Sequence, residues 1–298
     1  ILGCAALPLV EKESIATRGS APSTAFALAA EASAMSASSC AVGSALTAQS
    51  ANTNHHYRVI SPDPSLMATT FRNQPPVDFS RAENREAMQT ALDEVREQLG
   101  STYLLTVGGE QVDSGQYFES VDPSQRSRIV GKVAEGQKAH ADQAVSAAKE
   151  ALASWSRLPV EERAEYLRRA AEVMRRRLFE LSAWEVFECG KTWREATGDV
   201  DEAIDFCEYY ARGAVPLFVR ERLGRFIGEL DEQFYQAKGV AVVISPWNFP
   251  LAICAGMVTS ALVTGNTTII KPAEQTPGIA RILFDILSES LAAVGAPK

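Results

Sequence analysis

The stretch that most constrains this chain runs from 239 to 277 and reads GVAVVISPWNFPLAICAGMVTSALVTGNTTIIKPAEQTP. Val240 to Ile244 is an unbroken apolar run, largely β-branched, which predicts a strand buried on both faces. Ser245-Pro246-Trp247-Asn248-Phe249-Pro250 then imposes a tight turn. Leu251 to Thr264 is long enough for a helix, although its Val and Thr are weak helix formers. Gly265-Asn266 is a helix stop. Thr267 to Ile270 predicts a second short strand, closed by Lys271-Pro272. Strand, helix and strand together have the length that a parallel crossover requires. Parallel α/β sheets bind ligands at the carboxyl ends of their strands. Three polar residues fall at those ends: Asn248 after the first strand, Lys271 and Glu274 after the second.

The remaining composition narrows the classes. The chain has 298 residues, 46% hydrophobic and 22% charged, enough for one or two domains with a real core. A net charge of -8 excludes nucleic acid as the default partner, because phosphate binding rests on an excess of Lys and Arg. No apolar run reaches the length of a transmembrane segment. The five cysteines, Cys4, Cys40, Cys189, Cys207 and Cys254, form no C-x-x-C pair. They read as reduced thiols of a cytoplasmic protein, not as a disulfide or zinc framework, and no metal site is expected. Both ends read as cut, with Ile at position 1 and a Gly/Pro turn at 295–298, so a fragment is expected.

Residues 1–70 differ from the rest. Ile1 to Val10 lacks the basic flank of a signal peptide. From Ser14 to Asn54 the chain is mostly Ala, Ser and Thr, a composition that buries too little surface to offset chain entropy. A disordered leader or interdomain linker is expected, with a translation artefact as the alternative. His55-His56 lies there without a Cys or carboxylate partner and reads as solvated. After Phe71, Ser80-Arg81-Ala82-Glu83 has the S-x-x-E form of a capping box. Ala87, Met88, Ala91, Leu92, Val95 and Leu99 follow at helical spacing up to Gly100. Tyr103 to Val107, Gln116 to Val121 and Ile129 to Val133 predict a small β layer. From Gln137 to Arg212 the pattern is helical: Asp142 to Trp155, a helix opened by Pro159-Val160-Glu161-Glu162, Leu181 to Glu188, and Asp199 to Tyr210. Glu221 to Gln236 is an irregular connection.

PWNFP followed by GNTTIIKPAEQTP, in that order and with strand–helix–strand between them, resembles the aldehyde dehydrogenase superfamily. The resemblance covers about residues 71 to 298. FRNQPPVDFSRAENREAMQTALDEVREQLG with YLLTVGGE, then VFECGKTWREA and GDVDEAIDFCEYYAR, are similar to one branch, the L-glutamate γ-semialdehyde (Δ1-pyrroline-5-carboxylate) dehydrogenases. That resemblance implies an α/β fold of aldehyde dehydrogenase type: an incomplete Rossmann-type NAD-binding domain preceded by helices and a small β layer. It also implies NAD as cofactor, an aldehyde of proline catabolism as substrate, a homo-oligomer at full length, and a possible fused proline dehydrogenase domain. Ser61-Pro62-Asp63-Pro64 is similar to the linker of that bifunctional form.

The site residues follow from the same resemblance. Asn248 matches the asparagine whose amide donates to the oxyanion formed when a Cys thiolate attacks the aldehyde; the alternative is a turn residue bonding its own backbone. Lys271 and Glu274 match residues that hold the adenosine ribose, with Glu274 favouring NAD over its phosphorylated relative; the alternative is a surface ion pair. Ile244, Ser245, Pro246 and Trp247 match the strand exit that lines the cofactor cleft. Phe249 and Glu202 match positions near the substrate; Glu202 alternatively belongs to a solvated acidic face with Asp199, Asp201 and Asp205. The family's nucleophilic Cys and general-base Glu fall in a later segment. Cys254 reads as a small buried hydrophobe, and this chain by itself is expected to be inactive. Two rivals stand beside the semialdehyde reading: another aldehyde dehydrogenase branch, such as one acting on succinate semialdehyde, and a non-catalytic remnant that binds NAD or scaffolds.

Overall fold

The computed structural model describes residues 71–224 and 227–292. The expected leader at 1–70, with His55-His56, lies outside them. The first helix, α1 (Ala82–Gln98), buries Met88, Ala91, Leu92 and Val95 on one face. Its S-x-x-E capping box does not form, because Arg81 is the N-cap and offers no side-chain cap. Asp78 instead accepts from the Ser80 N–H, and Glu83 pairs with Arg81. Gly100, at a φ of 83°, then turns the chain out of the helix.

The β layer holds five short strands: β1 (Ser101–Tyr103), β2 (Leu105–Val107), β3 (Glu110–Val112), β4 (Tyr117–Val121) and β5 (Ile129–Ala134). β5 is central, parallel to β1 and antiparallel to β4, while β2 and β3 form a hairpin. The single strand expected over Tyr103 to Val107 is therefore two. The break falls at Leu104, whose carbonyl accepts from the Arg281 guanidinium.

Four helices follow: α2 (Lys138–Trp155), α3 (Val160–Arg176), α4 (Leu178–Cys189) and α5 (Trp193–Leu217). α2 starts earlier than its apolar face suggested, because Gln137 and His140 make a reciprocal cap. α5 starts six residues before the expected Asp199 because Thr192 and Glu195 form a true capping box. α5 is the hub of the helical layer and packs on α3, α4 and α6 (Ala252–Val263). Gly256 lets α5 and α6 approach closely, since a Cβ there would meet the Phe206 ring at 3.0 Å. The irregular connection contains a short ribbon, β6 (Glu221–Arg222) with β7 (Glu232–Gln233).

The strand–helix–strand unit forms as expected. β8 (Val240–Ile244) and β9 (Thr267–Lys271) run parallel, in register from Val240 opposite Thr267 to Ile244 opposite Lys271. α6 crosses between them, and α7 (Pro277–Ala292) follows. β9 is buried along nearly its whole length, but β8 is not: Val242 is 58% exposed and Ile244 69%. The expectation of two covered faces fails for a physical reason. Side chains alternate along a strand, so Val243 joins the core on the α6 side while Val240 packs with Ala144, Ala148 and Ile269 on the α2 side. Val242 and Ile244 share the face of Val240 but lie further toward the carboxyl end, where no described residue covers them.

Asn266 locks the unit. Its Oδ1 accepts from the Lys238 and Gly239 N–H groups, and its Nδ2 donates to the Ala261 carbonyl and Thr264 hydroxyl. The end of α6 is thereby tied to the start of β8.

Candidate functional site at the carboxyl ends of β8 and β9

Ile244 lies opposite Lys271, so the PWNFP turn and the KPAE segment leave the sheet side by side. Neighbouring strands lie about 4.8 Å apart, which places both segments on one edge. The ladder continues one step further, with the Ser245 N–H donating to the Lys271 carbonyl at 3.2 Å. Ser245 is buried, whereas Ile244, Trp247, Asn248 and Phe249 are exposed and Pro246 is half-buried. The result is an open apolar shelf with one amide upon it. The Asn248 side chain has no hydrogen-bond partner among the described residues, so it does not hold its own turn.

Lys271 and Glu274 face each other at 3.8 Å, the lysine mostly covered and the carboxylate half-exposed. The Glu274 backbone N–H first of all, then Gln275 and Lys271, keep the Glu274 carboxyl below the usual range. A lysine donor and an ionised acceptor therefore stand together beyond β9.

The turn rests on the α4–α5 corner. Asp199, fully buried, accepts from the Ala252 N–H at 2.6 Å and so satisfies a free donor at the start of α6. Lys191 pairs with Glu185 at 2.8 Å and with Asp199, and its ammonium lies 4.7 Å from the Phe249 ring centroid. Against the cost of burial, the charges of Glu185 and Asp199 hold Lys191 above its usual value. Cys189 contacts the Trp247 carbonyl at 3.8 Å.

Glu202 stands less than one turn beyond Asp199 on α5 and is exposed. Partial burial, then the charge of Asp199, raises its carboxyl, while Lys191 draws it down. It shares the field of Lys191 with Phe249 but makes no hydrogen bond to the turn among the described residues. The solvated-face reading of this helix fails for Asp199 and Asp201, which are buried. Lys191 and Asp199 escaped the sequence reading as site-building residues. The available signal was the Gly-Lys pair at the helix stop, eight residues before an aspartate that falls on a helix.

None of the described cysteines is poised for attack. Cys254 is fully buried, and burial, against a contact with Ser245, pushes its thiol up to about 12. Burial likewise takes Cys207 to about 12 and raises Cys189 further. Among the described residues no group of three or more His, Cys, Asp or Glu could hold a metal ion, and no helix is long and apolar enough to cross a membrane.

Comparison with known proteins gives one consistent answer. The model of the aldehyde dehydrogenase family matches residues 111–298. A 1-pyrroline-5-carboxylate dehydrogenase of Geobacillus kaustophilus is 45% identical over 224 residues, covering 75% of this chain and 44% of the relative. A 1-pyrroline-5-carboxylate dehydrogenase 2 of Bacillus subtilis is 42% identical over 232 residues, covering 78% and 44%. The chain thus spans less than half the length of these relatives. Among solved structures, a Thermus 1-pyrroline-5-carboxylate dehydrogenase with bound NAD superposes with a TM-score of 0.73 at 44% identity, covering 74% of this chain and 43% of that one. Proline utilization A of Bdellovibrio bacteriovorus, inactivated by N-propargylglycine, gives 0.73 at 43% identity, covering 74% and 23%. With its α/β fold and its paired strand-end motifs, this chain belongs to the aldehyde dehydrogenase family.

Proposed function

We propose that this chain supplies the first part of the NAD-binding domain, residues 71–298, of an enzyme that oxidises L-glutamate γ-semialdehyde to L-glutamate in proline catabolism. The observation that supports it best is the shared edge of β8 and β9, with an uncommitted amide at one strand end and a Lys–Glu pair at the other. The named relatives and neighbours favour the semialdehyde over other aldehydes.

The residues present fit a dinucleotide. The uncovered carboxyl half of β8, Val242 and Ile244, with Trp247 beyond it, is an apolar surface of the kind an adenine ring covers. Lys271 and Glu274 would hold the ribose hydroxyls as donor and acceptor, and the ionised Glu274 disfavours a 2′-phosphate. The chemistry supplied by bound NAD is acceptance of a hydride. Asn248 would donate to the oxyanion that develops on the aldehyde oxygen. A neutral donor stabilises that charge without forming an ion pair with the substrate. Phe249 would pack on the aliphatic part of the substrate, and Glu202 would lie at the edge of that pocket.

The nucleophile would come from elsewhere than Cys189, Cys207 or Cys254, whose buried thiols are raised. The apolar side chains on the ribbon between α5 and β8, Leu223, Ile227, Leu230 and Phe234, favour a homo-oligomer. Free cysteines at 189, 207 and 254 agree with a cytoplasmic protein. Kinship with proline utilization A favours a fused proline dehydrogenase domain. The test is a substrate panel on the protein purified from its source, with NADH formation as readout. Preference for L-glutamate γ-semialdehyde over succinate semialdehyde is expected, and equal or reversed preference would replace the branch assignment.

A further inference from the structure

The α4–α5 corner grips the PWNFP turn at three points. The Cys189 thiol, kept protonated by its burial, meets the Trp247 carbonyl. The Lys191 ammonium lies on the Phe249 ring. The Asp199 carboxylate takes the Ala252 N–H. These contacts fall on the residue before Asn248, the residue after it, and the first residue of α6. Asn248 itself makes no hydrogen bond through its side chain among the described residues. An amide without bonds of its own is aimed only by the backbone that carries it.

The cost of this arrangement points the same way. Glu185 and Asp199 are both fully buried, with Lys191 between them. One Glu185 oxygen, Oε1, has no hydrogen-bond partner among the described residues. Burial, then the nearby charge of Asp199, pushes the Glu185 carboxyl well above the usual range. Two acids on one lysine are a poor way to gain stability alone, since burying charge costs more than packing apolar groups of similar size. The same lysine, however, fixes both the aspartate that starts α6 and the ring beside Asn248.

We propose that Lys191, assisted by Cys189 and Asp199, is a positioning residue that sets the direction of the Asn248 amide. This inference rests on Asn248 being the oxyanion donor. A misplacement of about 1 Å can cost on the order of 10²-fold in rate.

The test is a double-mutant cycle read by the pre-steady-state burst of NADH in the protein as its source makes it, carrying each variant, with L-glutamate γ-semialdehyde as substrate. Lys191→Met should slow the burst by about 10- to 100-fold while NAD affinity stays within about twofold. In an Asn248→Ala background the same change should have no further effect, because the group it aims is gone. An undiminished burst in Lys191→Met, or losses that multiply in the double variant, would overturn the proposal. If Asn248→Ala alone leaves the burst unchanged, the oxyanion reading fails instead. Should Lys191→Met not fold, Cys189→Ala supplies the same cycle with a milder change. A severalfold slowing that vanishes without Asn248 supports the proposal, and no slowing, or slowing that persists without Asn248, contradicts it.

Discussion

Single side chains of this protein do work that neighbours in sequence do not reveal. Glu274 is the simplest case. If its carboxylate excludes a 2′-phosphate, Glu274→Gln should narrow the preference for NAD over NADP. The expected change is on the order of tenfold, the scale of a like-charge contact at a half-exposed site, and comparison of kcat/KM for the two cofactors measures it. Asp201 makes a different prediction. It is buried, its Oδ1 has no hydrogen-bond partner among the described residues, and burial with the charge of Asp205 pushes its carboxyl up to about 7. A raised folded-state value means that the native state binds the proton more tightly than the unfolded chain. Its contribution to stability is then complete below about pH 4 and is lost as pH rises through 7. Asp201→Asn removes that loss. Relative to wild type, the variant should therefore gain stability from about pH 4 to about pH 7 in thermal melts and level off above that, and a pH-independent difference would count against the assignment.

Two of the helix starts in this structure, those of α6 and α7, are satisfied from a distance. The Glu188 carboxylate accepts from the Gly278 and Ile279 N–H groups at the start of α7 and from the Ser120 hydroxyl. Asp199 serves α6 at its start, while Trp155 and Arg163 donate to the Leu262 and Val263 carbonyls at its end. This explains which elements were legible in sequence. The β8–α6–β9 unit was readable because its apolar runs, its turn and its Gly265-Asn266 stop are all local. The S-x-x-E motif before α1 misled because a nearby Asp78 took the Ser80 backbone instead. Asp199 was hidden because its partner lies 53 residues away, and no periodicity records that pairing. Asn266 offers a test at this scale. Asn266→Ala removes four hydrogen bonds between α6 and β8. It should cost about 1–3 kcal/mol, visible as a lower midpoint in urea, since the freed groups are only partly exposed. Gly256→Val should cost a similar amount by driving α6 into Phe206.

At the largest scale, the described residues are arranged so that a helical layer supports one sheet edge, and none of them covers the front of that edge. α5 is the pivot, contacting α3, α4 and α6 and carrying the aspartate that starts α6. The exposed ribbon belongs to this scale as well. If it joins copies of the protein, replacing Leu230 and Phe234 with Ser should reduce the mass seen by sedimentation without lowering the thermal midpoint of the individual subunit. The candidate site was legible where strand ends placed Asn248, Lys271 and Glu274 together, because strand polarity alone dictates which ends meet. Its support was not, because the corner that holds Asn248 comes from a different layer. The measurement closest to the central claim is the hydride-transfer burst of Asn248→Ala beside wild type, with NAD affinity measured on the same samples. The account predicts a burst about 10²- to 10³-fold slower at unchanged NAD affinity. A burst at the wild-type rate would mean that the amide on this edge stabilises no developing charge, and the site would have to be sought elsewhere.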